Sequence, residues 1–223
     1  MNAPAIQVVP IFAAPFAVVT LEQARPLNPA LAALLAERAT PERRDPGDRG
    51  GTARFCSRDD LLEWSEPPVR GTLQAMLAGV SSMVASITSL SAEQFATLTP
   101  QARAWFSIVR PNGYLSSTSY PNTAWLAVYC VTAPQPSEAR FDSGVLRLHE
   151  WRPGTGFLDA SQGALRLPYR ASHCTWRPVP GEMAVFPAAV THEVATVRGA
   201  GALTIVMARV RFLASDKVWM PPW

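Results

Sequence analysis

Residues 178–194 read Pro178-Val179-Pro180-Gly181-Glu182-Met183-Ala184-Val185-Phe186-Pro187-Ala188-Ala189-Val190-Thr191-His192-Glu193-Val194. A Pro/Gly cluster opens the segment, Met183–Phe186 is a short β-rich run, and a second run, Glu193–Val197, follows Pro187 and its small residues. Strands of this length bounded by turn residues are the grammar of an all-β layer. The same grammar holds outward from this segment, at Ala104–Val109, Ala124–Val131, Val145–Glu150 and Leu203–Phe212. The runs are separated by RPNGY, APQPSE and RPGTG. Several such strands after a helical region predict a β-sandwich or jelly roll carrying helices on one face. There is no internal repeat.

Upstream of residue 104 the pattern is different. A β-branched and aromatic run, Ile6 to Val19, is broken by Pro10 and Pro15, and a Leu/Ala-rich segment, Leu27 to Ala39, has helical spacing. Asn28 before Pro29 predicts the start of that helix, because Asn caps and Pro is tolerated in the first turn. Thr40 to Thr52, rich in proline, glycine and charge, reads as a mobile loop. Ser57 opens a turn or short helix, with Asp60 as its capping-box-like partner. After Pro67-Pro68, apolar residues recur at Leu73, Met76, Leu77, Val80, Val84 and Ile87, the stripe of a helix lying on a sheet.

Composition narrows the function classes. The chain has 223 residues, 48% of them hydrophobic and only 17% charged, enough apolar material for a sizeable core in one domain. A net charge of +3, spread over dispersed arginines, lacks the basic stripe of a nucleic-acid binder. No apolar run approaches the roughly 18 residues of a membrane span. The start MNAPAIQVVP lacks the basic and apolar regions of a secretory signal, so a cytoplasmic protein is expected. Three cysteines, Cys56, Cys130 and Cys174, lack CxxC spacing and suggest neither a disulfide framework nor a zinc site.

Taken in order, several stretches resemble the small bacterial iron(II)/2-oxoglutarate-dependent oxygenases, a double-stranded β-helix group. The N-terminal part contributes VVPIFAAPFAVV, LNPALAALL and CSRDDLLEWSEPPVRGTLQAML. The β part contributes AWFSIVRPNGY, YPNTAWLAVYCV, DSGVLRLHEWRPG and PVPGEMAVFPAAVTHEV. The resemblance implies an α+β fold, a jelly-roll or cupin-like double-stranded β-helix over residues 104–212. A strand and helices from residues 1–100 would support it, all in the single domain 1–223.

The resemblance also implies a facial triad, two ligands from one loop and a distant histidine. The loop here reads Ser117-Thr118-Ser119-Tyr120-Pro121-Asn122, which puts Thr118 and Tyr120 at the two proximal positions. A threonine hydroxyl is a weak neutral ligand, and a phenol must first lose a proton from a pKa of about 10. His192 keeps the distal position. Relatives also carry an arginine at the start of the last core strand, two residues before a Ser/Thr, for the 2-oxoglutarate carboxylate. Thr204 matches the hydroxyl, but the arginine position is Ala202; Arg209 and Arg211 lie on the opposite strand face from Thr204 if the strand is regular.

These departures lead to an expectation of no metal and no cofactor, with Tyr120, His192 and Thr118 as catalytic residues and Arg110, Arg152 and Thr204 as substrate-binding residues. A Tyr120–His192 pair can act as general acid and base; a tyrosine that merely fills the old metal space is the competing reading. If a metal is held, His192 is the ligand, with His149 and Asp142 as substitutes, while His173 reads as a surface residue. Three functions stay open. One is an enzyme of specialised metabolism that acts on a small molecule in the pocket without a metal. A second is a non-catalytic subunit that pairs with an active relative; for the assembly, a homodimer or a heteromer with a related subunit is expected. The third is an iron(II)/2-oxoglutarate oxygenase with a rearranged triad.

Overall fold

The structure, a computed structural model, describes residues 13–135, 140–149, 161, 165–166 and 173–214. Its framework is set by two long antiparallel strands, β3 (Thr99–Val109) and β10 (Leu203–Leu213), paired in unbroken register from Leu203 opposite Val109 to Leu213 opposite Thr99. The other side of β10 takes β5 (Trp125–Thr132), with one register shift between Thr204 and Ile205. Beside β5 lies β8 (Glu182–Pro187), and beside β8 the short β1 (Ala17–Thr20). Adding β2 (Arg54–Cys56) next to β3 completes a six-stranded sheet in the order β1-β8-β5-β10-β3-β2.

A second, four-stranded sheet faces it. Its strands are β4 (Leu115–Thr118), β6 (Leu146–Leu148), β7 (Cys174–Trp176) and β9 (His192–Val194), in the order β4-β9-β6-β7. Two facing antiparallel sheets with helices outside them make the expected α+β jelly roll.

Alternation along each strand of the large sheet divides the molecule into two cores. Phe106, Tyr129, Val185, Val206 and Ala208 pack outward under the helices, whereas Trp105, Val128, Phe186, Ile205 and Met207 point between the sheets. The outer core is roofed by α1 (Asn28–Glu37) and α2 (Pro67–Ile87), with a short α3 (Ala92–Ala96) leading into β3. The apolar stripe of α2 does its expected work at Leu73, Met76 and Val80, but its last member, Ile87, is exposed. Gly79 lets α2 approach closely, since a Cβ there would stand 2.7 Å from the Met183 methyl.

Two helix-start signals have other uses. Asn28 is the first residue of α1 rather than its cap, and its Oδ1 accepts a hydrogen bond from the buried Tyr129 phenol at 2.8 Å. Ser57 starts no helix: its Oγ accepts from the Phe106 N–H at 3.0 Å and donates to the Arg58 carbonyl. The helix-start signature that does operate is the box of Ser91 and Gln94 at α3. The described residues contain no helix long and apolar enough to cross a membrane.

Burial pushes the Tyr129 phenol up to about 12, against the opposing hydrogen bond to Asn28, so it stays a donor at every ordinary pH. Tyr129→Phe keeps the ring and leaves the buried Asn28 carbonyl unpaired. The expected cost is about 1–2 kcal/mol in a urea melt, with an unchanged m-value.

Candidate functional site

Between the sheets, at the end where β5 begins, lies a cleft of about 500 Å³. Tyr120, Thr118 and His192 all line it. Thr118 is brought there by β4, whose register sets it opposite His192 of β9. Tyr120 is held by its backbone, since its N–H donates to the Ala188 carbonyl at 2.8 Å and its own carbonyl accepts from Thr123 at 3.2 Å. The Tyr120 ring then stands 5.8 Å from the His192 ring and 5.5 Å from Trp105.

His192 is only 2% exposed. Its Nδ1 lies 3.0 Å from the Val190 carbonyl, which fixes the tautomer with the proton on Nδ1. The other nitrogen, Nε2, is buried without a hydrogen-bond partner. Burial lowers the pKa below the ordinary imidazole value, outweighing the Val190 contact, so the ring is neutral near pH 7. Burial acts in the opposite sense on Tyr120: it raises the phenol, with Arg209 and a Thr118 hydrogen bond opposing, and keeps it protonated.

Sequence reasoning did not assign Arg209 to this cleft, yet it is a lining residue. Its guanidinium lies 5.1 Å from the Tyr120 ring centroid and donates to Asp59 at 3.0 Å. The parity reading was right that Arg209 and Thr204 lie on opposite faces, but the cleft takes the arginine's face. Thr204 sits opposite Ile108, a residue of the helix-side core, and is therefore turned away. The sequence does not show which face of β10 looks into the barrel, because buried apolar residues alternate onto both.

A loop closes one side of the cleft around Asp48, whose side chain is 1% exposed. Arg44 reaches it at 2.6 Å, Arg54 at 2.8 Å, and the N–H groups of Gly50 and Cys56 each at 3.0 Å. Burial alone would raise this carboxyl, but the Arg54 guanidinium and the Gly50 and Cys56 N–H groups hold it below the usual carboxylate range. The segment expected to be a plain loop is thus clasped at its centre.

The remaining sequence candidates do not converge here. Arg110 is exposed and donates to the Thr52 carbonyl at 3.3 Å, outside the cleft lining. Arg152 lies outside the described residues. Asp142 is taken by Arg147 at 2.5 Å, and His149 turns toward Glu193, 3.7 Å away, so the substitute triad with His192 is not assembled. His173 is exposed, as expected of a surface residue.

No family model and no curated protein matches the chain. Solved structures do. A Pseudomonas putida prolyl-4-hydroxylase is 17% identical with a TM-score of 0.55, over 88% of this chain and 91% of that one. HygX from Streptomyces hygroscopicus, solved with nickel and 2-oxoglutarate bound, is 11% identical with a TM-score of 0.54, over 92% and 84%. SnoN, a non-heme α-ketoglutarate-dependent epimerase from nogalamycin biosynthesis, is 15% identical with a TM-score of 0.55, over 90% and 76%. The chain has the double-stranded β-helix fold of the 2-oxoglutarate/iron(II) oxygenases.

That finding overturns the expectation that no cofactor is involved, because the fold is shared with cofactor-using oxygenases, one of them solved with 2-oxoglutarate in place. The residues themselves do not fit the family's ligand set. The open Nε2 of His192 is a suitable donor, but its neighbours are a threonine hydroxyl and a protonated phenol. No group of three or more His, Cys, Asp or Glu able to hold a metal occurs among the described residues. At the start of β10 the inward-facing side chains are Leu203 and Ile205, both apolar and fully buried, where a dicarboxylate would need a cation.

The Asp48 clasp makes stability depend on pH. With its folded pKa depressed, its contribution is complete above the unfolded value of about 3.9 and fades as pH falls through the lower folded value. Asp48→Asn should therefore cost about 2 kcal/mol at pH 7 and progressively less below pH 4, in denaturant melts of both proteins across that range. The His192 ring, followed by NMR, should titrate below 6.5 with its neutral form protonated on Nδ1.

Proposed function

We propose that this chain is an enzyme of specialised metabolism that carries out proton transfer on a small molecule held in the barrel mouth. His192 is the general base and Tyr120 the general acid. The observation that carries this reading is the buried Nε2 of His192, which has no hydrogen-bond partner, lines the cleft and lies beside a protonated phenol. A buried acceptor that opens on a cleft is met there by water or by a ligand. The presence of an epimerase from nogalamycin biosynthesis among proteins of this fold supports a biosynthetic setting.

The chemistry follows from the two protonation states. Nε2 takes a proton from the substrate, and the imidazolium that forms keeps its Nδ1–H on the Val190 carbonyl. Tyr120 donates its phenolic proton to the substrate atom on which negative charge develops. The phenolate left behind faces the Arg209 guanidinium, which favours the anion. Return of the two protons resets the pair, so the cycle conserves protons. A positioned acid or base is worth about 10²–10⁴-fold in rate.

The purified chain, incubated with a cell metabolite extract, should convert at least one component in a reaction followed by mass spectrometry. His192→Ala and Tyr120→Phe should each slow it by about 10²-fold or more at a temperature where circular dichroism shows both variants folded. Full activity in both variants would sink the acid–base assignment. So would succinate formation, on adding iron(II), 2-oxoglutarate and air, that His192→Ala abolishes.

A further inference from the structure

The cleft presents two opposite hydrogen-bonding groups, and together they select what can fill it. The Val190 carbonyl, 3.0 Å from His192 Nδ1, has no proton to give, so the ring proton lies on Nδ1 and Nε2 keeps its lone pair. No protein group meets that lone pair. The ring is held in place, because it is 2% exposed and packs 5.3 Å from the Phe186 ring and 5.8 Å from the Tyr120 ring. Beside this fixed acceptor stands a donor, the Tyr120 phenol. Its hydrogen bond with Thr118 favours the phenolate, so the threonine donates and the phenolic proton is left for another acceptor.

The charges at the mouth favour no ion. Asp48 is met by Arg44 and Arg54, and Asp59 by Arg103 and Arg209. Arg147 joins Glu193 to Asp142. With Asp45, which also lines the cleft, these residues make five arginines and five carboxylates. An ion entering here gives up its hydration without meeting a surplus of opposite charge. Trp105, Leu115, Leu146, Val194 and Met207 add an apolar wall, which suits a neutral ligand.

The acid–base reading sends the two groups to different atoms, since a proton taken from and returned to one atom changes nothing. A hydroxyl satisfies Nε2, because a carbonyl or ether oxygen has no proton to donate. The phenol needs an oxygen that accepts. We infer that the cleft takes a neutral hydroxy compound with an apolar body. Its hydroxyl donates to His192 Nε2, a second oxygen close to it accepts from the Tyr120 phenol, and its body lies against Trp105. The inference rests on the reading of this cleft as the substrate site and names the substrate class for it.

Ligand-observed NMR with 2-benzyloxyethanol, which has both oxygens, tests this without any turnover. Its methyl ether lacks the donor, and 4-phenylbutan-1-ol replaces the ether oxygen by carbon. Benzyloxyacetate and 2-benzyloxyethylamine each carry a charge. The hydroxy ether should bind about tenfold more tightly than any of these, since each leaves a buried group unmet or strips an ion of water. His192→Ala should abolish its advantage over the methyl ether, and Tyr120→Phe its advantage over 4-phenylbutan-1-ol, so each variant reads one end of the site. Should His192→Ala not fold, Tyr120→Phe keeps the ring and tests the phenol end alone. Equal binding of the methyl ether, tighter binding of either ion, or an unaltered ranking in both variants would overturn the inference. So would binding that requires iron(II). The expected ranking together with full turnover in both variants would uphold this ligand class and sink only the acid–base assignment. Turnover lost in both variants without that ranking would do the reverse.

Discussion

The pairing of β10 with β3 and β5 is the constraint from which the rest of the structure follows. A strand with neighbours on both sides cannot rotate or slip without losing its hydrogen bonds, and a slip of one residue exchanges its two faces. The unbroken register with β3 therefore fixes which residues of β10 meet the helices and which meet the facing sheet. Val206, Ala208 and Val210 go to the helices, and Leu203, Ile205 and Met207 go between the sheets. The same parity delivers Arg209 to the cleft and sends Thr204 away from it.

That division also explains the chemical character of the barrel. Its deeper part is closed by apolar side chains, among them Leu203, Ile205, Val128 and Phe186. Polar groups are confined to the mouth, where β4, β9 and the Asp48 loop meet. There Asp48, Asp59 and Glu193 are engaged by arginines, and the open nitrogen of His192 lies beside a phenol. A low-dielectric floor beneath these groups keeps His192 neutral and Tyr120 protonated, which is the pairing that proton transfer needs. Fold alone does not transfer the chemistry of the oxygenases that share this scaffold.

Much of the fold was legible in the residues. The longer runs around Ala104–Val109, Ala124–Val131, Met183–Phe186 and Leu203–Phe212 all became strands, because a buried strand must be apolar along most of its length. The short strands β2, β4 and β7 carry too little pattern to be read, although the equally short β6 and β9 overlap the runs Val145–Glu150 and Glu193–Val197. Asn28 does mark the start of α1, but neither it nor Ser57 caps a helix with its side chain. Each has the chemistry of a cap, yet each is claimed by a distant partner, Tyr129 in one case and the Phe106 backbone in the other.

For the site, the chain order alone determined that a hydroxyl, a phenol and an imidazole occupy Thr118, Tyr120 and His192, and a short stretch of sequence fixed each one locally. Only the tertiary structure decided what surrounds them. Arg209, Asp59 and Trp105 come from three distant segments, and both faces of the strand that bears Arg209 are apolar enough to be buried. Periodicity can show that a strand has two faces. Which face looks into the barrel depends on the layer that packs against it, and that choice is made by residues far away in the chain.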